Sequence, residues 1–208
     1  MSLDESMIHD IVQKVMANMQ IAGSVEGMHG VFQDMNDAIK ASIEAQKVVR
    51  NLSLDQREKI ISAIRRKTHE NAEIIANMGV NETGMGNVGD KILKHHLTAD
   101  KTPGTEDLST IAWSGDRGLT LVEMGPFGVI GAITPATNPS ETVICNSIGM
   151  IAGGNTVVFN PHPNAKKTTI FTINMINEAS LEAGGPDNIA VTVEAPTMAV
   201  SYTHLRAH

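Results

Sequence analysis

Apolar residues recur at three- and four-residue spacing over the first eighty positions and give way to short β-branched runs beyond residue 108. In residues 4–20, Ile8, Ile11, Val12, Val15, Met16 and Met19 fall on one stripe, which predicts an amphipathic helix whose start is favoured by Asp4 and Glu5. Residues 21–30 hold three glycines and a serine and read as a flexible linker. Two longer helices follow. Asp34 to Leu52 carries Ala38, Ile39, Ala41 and Ala45, and Leu54 to Gly79 carries Ile60, Ile61 and Ile64, with Ser53 and Gln56 as a capping box for the second. Thr110 to Ser114 and Leu119 to Met124, joined by Gly115-Asp116-Arg117-Gly118, predict a hairpin.

The pattern then changes period. Val129 to Ile133 is apolar on both faces, as a parallel strand covered by helices on both sides requires. Pro135 stops it, Asn138 stands at a helix N-cap, Pro139 suits the first helical position and Glu141 falls at the third. The helix is expected to run to about Ala152, where Gly153 and Gly154 end it, before a second strand from Asn155 to Phe159. Ile189 to Val193 reads as a third parallel strand. A right-handed crossover makes such strands neighbours, so the fold class is α/β: an incomplete Rossmann-like parallel sheet with an amino-terminal helical segment and a β-hairpin arm. Ligands of such sheets sit beyond the carboxyl ends of the strands, here Thr134 to Asn138 and Asn160 to Pro163. The spacing alone favours ordinary strand-to-helix turns over a ligand site.

Composition narrows the setting. The 208 residues are 41% hydrophobic, enough for a core, and no apolar run approaches the ~20 residues needed to span a bilayer. With a formal net charge of -7, the run Arg65-Arg66-Lys67 reads as a solvated face rather than a nucleic-acid patch. Adjacent His95 and His96 do not share a helix face, so no metal site is assigned. The one cysteine, Cys145, lies mid-helix and reads as a small buried hydrophobe rather than a nucleophile. Without a secretory signal or a disulfide pair, the expected location is cytoplasmic.

Four stretches carry a resemblance: VNETGMG at 80–86, TPGTEDL at 102–108, GPFGVIGAITPATNP from Gly125, and VVFNPHPNAKK at 157–167. Over roughly Gly30 to Met198 the chain resembles the aldehyde dehydrogenase superfamily. Within it, the chain is similar to the CoA-acylating enzymes of ethanolamine and propanediol utilisation. It departs from carboxylate-forming members, which carry Trp-Asn where this chain has Ala136-Thr137 and Lys where it has Asn160.

The resemblance implies the amino-terminal part of an NAD-dependent enzyme that converts a short aldehyde, acetaldehyde or propionaldehyde, and CoA to acyl-CoA and NADH. It implies Ile133, Thr134, Pro135, Ala136, Asn160, Pro161, His162 and Pro163 as cofactor contacts, with His162 replacing the missing Lys on the adenosine ribose. Thr137 and Asn138 fall in the oxyanion and nicotinamide region, and either is the donor. The nucleophilic cysteine and the phosphate-cradling glycine turn of the family are missing, so the 208-residue chain is expected to be inactive; without the family's later strands, Val129 to Ile133 is expected at a sheet edge and the chain to be poorly soluble. The aldehyde half of a bifunctional aldehyde–alcohol dehydrogenase and a non-catalytic nucleotide-binding scaffold are the alternatives.

The resemblance also implies roles for the ends and the arm. Residues 4–20 resemble the extensions that dock enzymes into bacterial microcompartments on a shell or cargo protein, with self-packing as the alternative and no membrane role. Residues 31–198 form a partial NAD-binding domain, and the hairpin at about 109–124 an arm for homo-oligomerisation, on which Trp113 is either an interface anchor or simple packing. The last nine residues, VSYTHLRAH, match one frame of a transposase sequencing adapter, so 199–208 are expected to be an artefact tail.

Overall fold

The computed structural model describes residue 25 and residues 27–197. The helix expected at 4–20 and the tail at 199–208 lie outside the described residues. The described chain runs β1 (Val31–Phe32), α1 (Met35–Val49), α2 (Leu54–Thr83), α3 (Val88–Lys101), β2 (Ile111–Gly115), β3 (Gly118–Val122), β4 (Val129–Thr134), α4 (Pro139–Ala152), β5 (Thr156–Pro161), α5 (Lys166–Glu182) and β6 (Ala190–Val193). Four strands form a parallel sheet in the order β1-β6-β5-β4, and β2 and β3 form a separate antiparallel hairpin.

Side chains alternate between the two faces of this sheet. On one face Val158, Val191 and Val193 meet Phe32 of β1 and Met35, Ala38 and Ala41, the inner stripe of α1. On the other, Val157, Phe159 and Ala190 meet Ile144, Ile148 and Ile151 of α4, Ile173 and Ile176 of α5, and Ile60, Ile61 and Ile64 of α2. Helices thus cover both sides, which the apolar strands require. Buried hydroxyls tie α1 to the sheet, Ser42 Oγ donating to Thr156 Oγ1 at 2.8 Å.

Local signals explain most boundaries. Ser53 and Gln56 close the capping box of α2, and Gly84, at φ 67°, ends the helix in the left-handed conformation. The C-terminus of α4 is closed from outside: Arg57 Nη1 donates to the Ala152 carbonyl at 3.0 Å, beneath Gly154 at φ 80°. Asn177, fully buried in α5, substitutes for a strand partner. Its Nδ2 donates to the Ala190 carbonyl at 2.6 Å, and its Oδ1 accepts from the Ile189 N–H at 3.0 Å.

Several expectations need correction. The pattern gave no strand at Val31–Phe32; two residues are too few to show a period, yet both are buried. The last residues of the glycine-rich segment are held in place. His29 N–H donates to Asn174 at 2.7 Å, and a Cβ on Gly30 would meet Asn177 and the Ala190 carbonyl within 2.3 Å. Strand β4, by contrast, lies at the sheet edge as expected, with Ile133 59% exposed. The run Arg65-Arg66-Lys67 is only partly a solvated face, because Arg66 is exposed while Arg65 and Lys67 are half-buried. Arg65 donates to the Ala99 and Thr102 carbonyls, Arg66 pairs with Glu70 and Glu182, and Lys67 pairs with Glu178 and Glu182. These contacts join α2 to the end of α3 and to α5, and the Glu182 carboxylate holds the Lys67 ammonium above its ordinary range.

Candidate functional site

The carboxyl ends of β4 and β5 place the two predicted segments side by side. Ile133 pairs with Asn160 and Thr134 with Pro161, and the His162 N–H donates to the Thr134 carbonyl at 3.2 Å. Along this shelf Ile133, Pro135, Thr137 and Pro163 are exposed, while Ala136, Asn138 and His162 are half-buried. Thr134, Asn160 and Pro161 are buried beneath them. Asn160 Nδ2 donates to the Thr197 carbonyl at 3.1 Å, which holds the chain after β6 against the end of β5. His162 Nδ1 accepts from the Asn164 N–H at 3.1 Å and caps the short turn Pro163–Ala165.

The two helix N-termini next to the shelf differ. At α5, Glu82 accepts from the Lys167 and Thr168 N–H groups and from the Thr168 hydroxyl, each at 2.7 Å. A carboxylate already neutralises that end, so it is closed to phosphate. At α4, Asn138 holds the cap position without a side-chain cap bond, and Glu141 does not fold back as in a capping box. Both side chains face α3 instead. Lys94 Nζ donates to Asn138 Oδ1 at 2.8 Å, and Lys91 Nζ lies 3.4 Å from Glu141 Oε1 and 3.1 Å from the Thr137 carbonyl.

A third α3 residue extends this network into the interior. His95 Nε2 is 2.8 Å from Ser140 Oγ, which is 3.2 Å from Glu141 Oε2. Burial pushes the His95 imidazole below its ordinary value against the opposing pull of the Glu141 carboxylate, so at neutral pH it is uncharged. Met85, Gly86, Asn87, Asp90, Lys91, Lys94 and Thr137 line a cleft of about 190 Å³ beside the turn.

Sequence reasoning found the shelf and missed the clamp on it. Lys91, Lys94 and His95 stand three and four apart on α3, a shared face legible in the spacing. Their target, a turn 44 to 50 residues further on, is a tertiary fact. Cys145 is half-buried in α4 with Sγ 3.1 Å from Thr102 Oγ1, a packing position. The hairpin is exposed throughout, with Trp113 58% and nearby Phe127 95% exposed.

The shelf suits a dinucleotide in chemical terms. Exposed Ile133, Pro135 and Pro163 offer flat apolar surface for a ring, and the Thr134 hydroxyl is buried without a hydrogen-bond partner among the described residues. The α5 helix end offers no phosphate seat, because the Glu82 carboxylate occupies it.

Comparison with known proteins gives the same direction. The model of the aldehyde dehydrogenase family matches residues 16–201. An acetaldehyde dehydrogenase (acetylating) of Bilophila wadsworthia is 45% identical over 206 residues, 95% of this chain and 42% of the relative. A propionaldehyde dehydrogenase from the fucose utilisation bacterial microcompartment of Clostridium phytofermentans is 70% identical at a TM-score of 0.82, over 85% of this chain and 41% of that one. The Rhodopseudomonas palustris propionaldehyde dehydrogenase, solved with bound CoA and an acylated cysteine, is 47% identical at a TM-score of 0.81, over 83% of this chain and 40% of that one. The chain therefore spans less than half the length of these relatives.

Proposed function

The chain belongs to the aldehyde dehydrogenase family, and on that premise we propose that it forms the cofactor-binding, amino-terminal part of a CoA-acylating aldehyde dehydrogenase. The reaction converts a short aldehyde, CoA and NAD to acyl-CoA and NADH. The observation that carries this reading is the paired shelf at the ends of β4 and β5, on a chain 45% identical to an acetylating enzyme.

Ile133 to Ala136 and Asn160 to Pro163 flank the dinucleotide, the exposed apolar side chains lying against its rings, and NAD supplies the hydride acceptor. Thr137 and Asn138 stand beside the cleft and offer donors to the aldehyde oxygen, where a fixed donor stabilises developing negative charge. The attacking thiolate belongs to residues beyond this chain, since Cys145 packs against Thr102. Acyl transfer from that thiolate to CoA then completes the turnover.

The exposed hairpin is assigned to contact between copies of the protein, with Trp113 as its aromatic anchor. Residues 4–20 are assigned to docking inside a cytoplasmic protein-shelled compartment, in keeping with the microcompartment origin of the 70% identical relative.

The test is stoichiometry in the complete protein that carries this chain. Equimolar NADH and acyl-CoA from propionaldehyde or acetaldehyde, dependent on CoA, is the expected result. NADH accompanied by free carboxylate and indifferent to CoA overturns the reading.

A further inference from the structure

We infer that Lys91 is a positioning residue for this reaction, holding the turn between β4 and α4 from the neighbouring helix α3; the inference rests on the proposed function. Lys91 and Glu141 are each 5% exposed and approach to 3.4 Å. A buried ion pair adds little stability over apolar residues of the same volume, because desolvation offsets the attraction. The pair therefore needs another account, and the second contact of the ammonium supplies one. Lys91 Nζ donates to the Thr137 carbonyl at 3.1 Å.

That bond fixes the plane of one peptide. Carbonyl and N–H of a trans peptide point in opposite directions, so holding the Thr137 oxygen toward α3 aims the Asn138 N–H away from it. Lys94 Nζ, 2.8 Å from Asn138 Oδ1, turns the Asn138 amide nitrogen away from α3 in the same manner. Two α3 lysines thus set the direction of the donors of the turn, while Glu141 at the third position of α4 neutralises the deeper one. No loop strain is required: Pro135 and Pro139 bracket the turn, and α3 holds its middle. Sub-ångström placement of such donors acts on the chemical step and leaves cofactor binding almost unchanged.

The experiment uses the complete enzyme and the variant Lys91→Met/Glu141→Gln, which removes both charges at nearly constant volume. A second variant, Lys91→Gln/Glu141→Gln, keeps polar partners in place and serves if the first does not fold. The expected result is a kcat lower by about ten- to hundredfold, with KM for NAD and CoA unchanged and the thermal midpoint close to that of the parent. Faster amide hydrogen exchange at residues 137–139 accompanies it. A variant that folds and turns over at the parental rate overturns the inference while leaving the proposed function standing. A parent without CoA-dependent turnover overturns the proposed function instead, and the inference with it.

Discussion

Glu82 and Thr168 meet at the start of α5, where the carboxylate accepts from both the backbone N–H and the hydroxyl of Thr168 at 2.7 Å. Glu82 belongs to α2 and comes 86 residues earlier, so a long-range side chain does what a local cap does elsewhere. Replacement Glu82→Ala leaves the Lys167 and Thr168 N–H groups and the Thr168 hydroxyl without this acceptor. We expect a loss of about 1–3 kcal/mol in urea unfolding. The variant should also gain stability from added sulfate that the parent does not, because the helix end becomes an open anion seat. Equal sulfate response in both proteins counts against the assignment.

Asn177 should be as sensitive. It is fully buried and satisfies both the carbonyl and the N–H of Ala190 as well as the N–H of Ile189. Asn177→Leu removes all of these and leaves buried backbone groups unpaired, for an expected loss of about 2–4 kcal/mol. Asn177→Asp keeps the acceptor and exchanges the donor for a buried charge, and should be no milder. Chemical unfolding of the two variants checks this.

His95 imposes a pH dependence. Its folded-state value lies below the ordinary 6.5, through burial first, with Lys91 and His96 acting in the same direction and Glu141 opposing. Below 6.5 the unfolded chain takes up a proton that the folded chain refuses, so stability falls as pH drops from 6.5 toward the folded value and is unaffected above 6.5. Urea midpoints measured from about pH 8 to pH 5 should fall more steeply in the parent than in His95→Gln. Parallel curves contradict the assignment.

The hairpin predicts association. Ile111, Trp113, Leu119 and Leu121 are 49 to 65% exposed, a concentration of large apolar side chains that marks contact surfaces. Trp113→Ser in the complete protein should weaken self-association without shifting the unfolding midpoint by more than about 0.5 kcal/mol. Sedimentation velocity reads the first and urea the second.

How much of this was legible depends on range. The capping box at Ser53, the strand expected at Val129–Ile133, the hairpin and the crossover through α4 rest on local signals, and the structure has each of them with strand bounds shifted by one or two residues. Long-range partners were not legible. Glu141 occupies the helix position of a capping-box carboxylate, yet Lys91 of another helix takes it. Arg65, Arg66 and Lys67 look like surface charge until α3 and α5 supply their partners. Strand β1 is too short to carry a period and is set by the close approach of Gly30 to α5 and β6. For the site, the shelf residues followed from strand ends, whereas the α3 clamp needed three dimensions.

The central claim is that the paired ends of β4 and β5 hold the dinucleotide. A crystal structure of the complete protein with NAD tests it most directly. The account predicts the cofactor along Ile133 to Ala136 and Asn160 to Pro163, with its pyrophosphate away from the α5 N-terminus that Glu82 closes. A dinucleotide bound elsewhere, or seated on Lys167 and Thr168 with Glu82 displaced, contradicts it.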